Sequence, residues 1–164
     1  MAKQPKDLND LFHETLKDIY FAEKQILRAL PKMARAANSE DLRQAFEQHR
    51  TETEAQIERL ESVFEIIGKT PRGKTCDAII GILDEGKGVM EDFAGSDALD
   101  AGLLAGAQAV EHYEISRYGT LRAWAEQLGL TAAVPLLEAT LAEETRTDQI
   151  LSKLATSQIN AKAA

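Results

Sequence analysis

Long stretches of helical periodicity fill most of the chain, separated by a few short turns. Between Phe12 and Met33 apolar side chains recur at steps of three and four: Phe12, Leu16, Ile19, Ile26, Leu30 and Met33, with Glu23 the one interruption. That spacing sets one face of a helix against a core. A second stripe reads Ala45, His49, Glu52, Gln56, Leu60, Val63 and Ile67. The third reads Leu104, Ala107, Glu111, Glu114, Tyr118, Leu121, Ala125 and Leu128. The last reads Val134, Leu137, Leu141, Glu144, Asp148, Leu151 and Ala155. No stretch reads convincingly as a strand.

Helix-end chemistry marks the boundaries. Asp7 is placed to cap a first helix running to about Asn38, with Pro31 expected to kink it. Ser39, followed by Glu40 and Asp41, reads as the cap of a second helix that ends at Gly68. Pro71 and Gly73 mark a loop, and Thr75 to Ala94 is a shorter helical stretch. Gly95 and Ser96 precede a long helix closed by Gly129. Thr131 is expected to cap the final helix, with Pro135 in its first turn. Two tight turns, near Asn38 and Leu130, each force an antiparallel pair. The intervening stretch of about 28 residues is long enough to cross the bundle. These features predict an all-α, ferritin-like four-helix bundle with one long crossover containing a short fifth helix. An ordinary up-down bundle is the alternative. One domain covers residues 1–164, with frayed tails expected at about 1–6 and 158–164.

All four stripes turn polar in their middles, and the heights match. Glu23 lies about 15 residues before the first turn and Glu52 about 14 after it; Glu114 lies about 16 before the second and Glu144 about 14 after it. At ~1.5 Å per residue each pair sits roughly 21–24 Å from its turn. Glu111 and Asp148 match one level away. Six carboxylates are therefore expected in one slice of the core, with His49 and Gln56 at its edge.

Such a slice needs compensating charge, because each isolated buried carboxylate costs several kcal/mol or is neutralised by a raised pKa. Two divalent metal ions would supply it, iron first, with manganese and zinc as alternatives. Glu52 and Glu144 are expected to be central. A network of shared protons and waters is the competing reading. The Glu-x-x-His repeat usual in di-iron bundles is missing: Ala55 follows Glu52 by three residues, and Thr147 follows Glu144. His49, three before Glu52, is the imidazole best placed to bind, as a ligand or as a partner of Glu52. Tyr20 and Tyr118 lie about one turn from Glu23 and Glu114 and read as core filling or as donors beside a metal. His13, His112, Cys76 and Trp124 read as surface or packing residues.

Composition narrows the function. Nineteen basic residues against 27 acidic give a net charge of −8, which disfavours nucleic acid as a partner. One cysteine rules out an intramolecular disulfide framework and a cysteine-rich zinc site. No apolar run approaches the ~20 residues of a membrane span, and Met1 to Asp10 contain no apolar signal region. A soluble cytoplasmic protein is expected. Phe21, Ile57 and Phe64 lie off the stripes and point either to packing on the crossover or to a homodimer contact.

The same residues carry a family resemblance. The blocks are Tyr20 with Ala22-Glu23-Lys24-Gln25, His49 through Glu52 to Gln56-Ile57-Glu58-Arg59, and Val110-Glu111-His112-Tyr113-Glu114-Ile115. Tyr118-Gly119-Thr120-Leu121, Ala125-Glu126-Gln127-Leu128-Gly129, Glu143-Glu144 and Thr147-Asp148 continue the set. With these blocks the chain resembles the YciE/YciF family of bacterial ferritin-like proteins over nearly its whole length. The resemblance implies a ferritin-like fold and an association with stress responses, and leaves the reaction open. Whether the chain is an enzyme is also left open. The leading expectation is a stress-associated protein with a carboxylate-rich dinuclear metal centre and an oxidase or peroxidase type of chemistry. A structural or metal-scavenging protein, in which metal only staples the helices, is the alternative. A nucleic-acid-protecting cage is a third reading, opposed by the acidic balance.

Overall fold

Helix α1 (Leu8–Ala36) starts at a reciprocal cap: the Asp7 carboxylate accepts from the Asp10 N–H, and the Asp10 carboxylate from the Asp7 N–H, each at 3.0 Å. This satisfies two of the amide donors that a helix start leaves free. The computed structural model describes residues 4–164, so the first half of the expected N-terminal tail lies outside the described residues. α1 runs through Pro31 and turns at Ala37 into α2 (Glu40–Ile66), capped by Ser39 as expected. Gly68, at φ +66°, closes α2 in a left-handed conformation that a side chain would strain.

The crossover contains α3 (Asp77–Asp92), which leads to α4 (Leu99–Gln127). Gly129, at φ +70°, ends α4. Thr131 does not cap the last helix. Residues 131–133 form a turn in which the Ala133 and Val134 N–H groups both bond to the Leu130 carbonyl, and α5 (Val134–Leu154) starts after the buried Ala133. That turn supplies the acceptors a threonine cap would have supplied.

The C-terminal tail also departs from expectation. The chain continues through a π-helical turn, Ala155–Ile159, into α6 (Asn160–Ala163). These turns pack on α4 and bury Ile159 at 1% exposure. One buried isoleucine gives the segment a reason to be ordered.

α1 pairs with α2 and α4 with α5 across the short turns, while α1 also packs on α4 and α2 on α5. Asp100, near the start of α4, bonds the backbone at Asn38, so α1 and α4 are antiparallel. α2 and α4 therefore run the same way, and the chain must travel the length of the bundle between them. α3 makes that return along α1 and α4. The result is the expected all-α bundle with one long crossover, and no strand occurs among the described residues. Phe64, expected off the stripes, is fully buried with its ring edge-on to Tyr20, and Gly73 of the crossover backs onto Phe21. No helix of the described residues is long and apolar enough to cross a membrane.

Candidate metal centre

The stripes of α1 and α4 fall inward as the periodicity predicts, and they carry their acids with them. Glu23, Glu111 and Glu114 are each at most 1% exposed. α5 adds Glu144, fully buried, and α2 adds His49 at 3%. One ligand atom from each of His49, Glu111, Glu114 and Glu144 lies within 4.8 Å of every other. His49 Nε2 is 3.1 Å from Glu111 Oε1 and 3.9 Å from Glu114 Oε2. The shorter contact is close enough for an ion pair but misses hydrogen-bond alignment, since both imidazole nitrogens lack a hydrogen-bond partner. Glu23 stands beside this group, its carboxyl within hydrogen-bond reach of Glu114.

Burial and crowding govern the electrostatics. Burial, then Glu144, pushes Glu23 up to about 8. The same two causes, burial foremost, hold Glu114 well above the ordinary carboxylate range. Burial also raises Glu111, helped by a hydrogen-bonding contact with Glu144. Buried oxygens of Glu23, Glu111, Glu114 and Glu144 have no hydrogen-bond partner. No lysine or arginine pairs with any of the four among the described residues; Arg59 is committed to Glu143 and Arg146 to Glu52. A cluster of this kind must share protons or hold a cation.

Neighbours brace the acids. Tyr118, fully buried, donates to Glu23. The Gln56 amide donates to Glu144 and, at 3.0 Å, to Glu143. Arg59 grips Glu143 with two bonds of 2.7 and 2.8 Å. Gln56 is thus a buried partner of the acids, with its own Oε1 left unpartnered.

Two expected members stand apart, and His49 changes place. Glu52, expected to be central, is half-buried at the side of the bundle, where it accepts from Thr147 at 3.3 Å and pairs with Arg146 at 3.5 Å. Asp148 meets Gln108 and the exposed His112, each at 3.1 Å. Their places on the inner stripes go to the buried Thr53 and Thr147. His49, expected at the edge, is in the middle. Tyr20 donates to Glu61 rather than to the cluster.

Comparison with known proteins adds a lineage to this geometry. The family model described as "Domain of unknown function (DUF892)" matches residues 7–164. The chain belongs to the DUF892 family. It is 48% identical over 160 residues to Protein YciF of Escherichia coli strain K12, covering 96% of each chain. Its fold matches the crystal structure of the E. coli stress protein YciF with a TM-score of 0.90 at 45% identity, covering 95% of this chain and 99% of that one. YcfI of Rhodopseudomonas palustris, for which a structural role has been suggested, matches with a TM-score of 0.88 at 45% identity, over 93% and 97% of the two chains. A Xanthomonas campestris protein at 22% identity shares the fold, with a TM-score of 0.70 over 94% of this chain and 95% of that one.

A stricter period would have found the missed members of this DUF892 site. The buried residues of α2 are Leu42, Phe46, His49, Thr53, Gln56, Leu60 and Val63, an unbroken alternation of four and three, with Phe64 beside them. Those of α5 are Leu137, Thr140, Glu144, Thr147 and Leu151, an alternation of three and four. Both registers bypass Glu52 and Asp148. Arg59 and Glu143 carry no such signal, because each is a surface-type residue half-covered only after α2 and α5 dock.

Proposed function

We propose that this protein is a stress-associated, ferritin-like metalloprotein. His49, Glu111, Glu114 and Glu144 bind one divalent ion, and Glu23 completes a site for a second with Glu114. What carries the reading is the four convergent ligand atoms within 4.8 Å, buried and without a cationic side chain to neutralise them. Their chemistry fits the group: an oxygen-rich set with one imidazole suits iron, manganese or zinc. Iron is proposed first. When bound, a redox-active metal here would exchange electrons with an oxidant such as peroxide. The chain's own residues hold the site ready: Tyr118 fixes Glu23, and Gln56 with the Arg59–Glu143 pair fixes Glu144.

Metal analysis of protein purified without chelator tests this. Wild-type protein is expected to carry metal, and Glu144→Ala to lose it. Full metal content in a Glu114→Ala, Glu144→Ala double variant would overturn the assignment.

A second reading is favoured by the depth of the cluster, every proposed ligand being 3% exposed or less. Metal there would tie α1, α2, α4 and α5 together without turnover. Peroxide consumption by the iron-loaded protein supports the oxidant reading; a raised Tm without consumption supports the structural one. The proposal includes a cytoplasmic setting, no nucleic-acid partner and a homodimer formed around the half-buried Phe21 and Ile57. A monomeric mass by light scattering would remove the dimer from it.

A further inference from the structure

The core cluster has an apolar antechamber. On its His49–Glu111 side lies a cavity of ≈ 10 Å³, walled by apolar side chains such as Ile26, Met33 and Phe46 and polar only at His49, Glu111 and Thr147. A second apolar cavity of ≈ 30 Å³ lies further out between α1, α3 and α4, bounded by Met90, Gly86 and Gly106. Beyond it a surface cleft of ≈ 320 Å³ opens between α1 and α3, with Gln25, Arg28, Lys32, Asp84 and Lys87 around its mouth. Ala29 and Leu83 line all three spaces. The three therefore lie side by side about Ala29 and Leu83, the surface cleft at one end and the buried imidazole and carboxylate at the other.

Size and polarity define the occupant. About 10–15 Å³ of such volume is what one water-sized molecule needs, so the inner cavity admits one small molecule. Water needs two to four polar partners: His49, Glu111 and Thr147 supply them only at the inner end, whereas the ≈ 30 Å³ cavity has no polar side chain in its wall; apolar cavities stay dry and take up xenon or small hydrocarbons. Met33 and Met90 give walls that adapt to a slightly larger guest.

The outer wall is also the part of the fold built to yield. α3 carries Gly81, Gly86 and Gly88, each costing about 1 kcal/mol of helix propensity relative to alanine. It buries only Ile79 fully. A Cβ on Gly106 would stand 4.0 Å from the Gly86 Cα, so backbone rather than side chain faces the passage there. The other core-facing side chains of α3, Ile82, Leu83 and Met90, are only partly buried, and segments held this way open locally before the rest of a fold.

We infer that this series of cavities is an entry passage and holding chamber for one small apolar molecule of the size and polarity of dioxygen, delivered to the His49–Glu111 side of the cluster. Use of the guest at that cluster rests on the metal reading above; occupancy of the chamber does not. The test therefore uses metal-free protein. Crystals under xenon pressure are expected to show xenon beside Ala29 and Leu83, and dioxygen is expected to broaden the methyl NMR signals of Met33 and Leu83 more than that of the exposed Ile150. Ala29→Phe should remove both effects, and Leu83→Ala, which enlarges the chamber, should raise xenon occupancy; reloaded separately with Fe(II), Ala29→Phe should take up as much metal as the wild type. Absence of xenon from the wild type, equal broadening of all three methyl groups, or unchanged occupancy in both variants would overturn the proposal. A wild-type protein that takes up xenon but binds no Fe(II) on loading would overturn the metal reading alone.

Discussion

The hydroxyl of Tyr118, on α4, donates to Glu23 Oε1, on α1, at 2.5 Å, with both side chains fully buried. This bond holds the one buried acid of α1 against the buried acids of α4. It also favours the charged form of a carboxyl that burial and Glu144 push up to about 8. Tyr118→Phe removes the donor and leaves a buried oxygen unsatisfied, a loss of about 1–3 kcal/mol. In metal-free protein the loss should be larger at pH 8, where much of Glu23 is ionised, than at pH 5. Urea unfolding at the two pH values measures it, and equal losses would contradict the role given to the bond.

The raised carboxyls predict the direction of pH dependence. Glu23, Glu111 and Glu114 all have folded-state values above the ordinary 4.5. Between that value and about 8 the folded chain therefore binds more protons than the unfolded chain, and stability falls as pH rises. The Tm of metal-free protein should drop between pH 5 and pH 8. Metal requires the deprotonated ligands, so the gain in Tm on loading should widen over the same range. A flat metal-free profile would count against the buried cluster.

The bundle was legible because its signals are local and redundant. Asp7, Ser39, Gly68 and Gly129 each act within a few residues of their own position, and the stripes of α1 and α4 have unambiguous apolar neighbours. Glu52 and Asp148 were misplaced for a specific reason. Each sits next to a threonine that suits the inner face equally by spacing, and a small β-branched residue gives no composition signal for burial. One residue is about 100° around a helix, enough to move a carboxylate from the core to its flank. The Asp100 contact was invisible because it joins segments about 60 residues apart.

Glu52 and Glu144 should separate in a metal assay. Glu52 is bound to Arg146 and Thr147 outside the convergent group, whereas Glu144 is one of its four members. Glu52→Ala is expected to keep wild-type metal content and to lose at most about 1 kcal/mol of stability, as for a partly exposed ion pair. Loss of metal in Glu52→Ala, with the fold intact by circular dichroism, would return that residue to the site.

Asp100 closes the α1–α2 turn from outside it. Its two carboxylate oxygens accept the Asn38 N–H at 2.8 Å and the Ser39 N–H at 2.7 Å. Charge-assisted bonds of this kind contribute about 1.5–3 kcal/mol each, and the pair shares one desolvated carboxylate. Asp100→Ala should therefore cost about 3 kcal/mol, and Asp100→Asn less, because one acceptor oxygen survives. A denaturant midpoint unchanged in Asp100→Ala would show that water replaces the carboxylate at this turn.

The last turns of the chain give an independent measure of how much of the bundle extends past α5. Ile159 is 1% exposed, and the segment around it packs on α4. Burying one such side chain is worth about 1.5–3 kcal/mol, so removal of residues 158–164 should cost about 2 kcal/mol. For a domain of this size that lowers Tm by about 4–8 °C. Ile159→Ala in the full-length chain separates the side chain from the backbone: if burial of the isoleucine orders the tail, it should reproduce most of the loss. A truncated protein with an unchanged Tm would mean that the tail frays after all and that Ile159 adds nothing to the core.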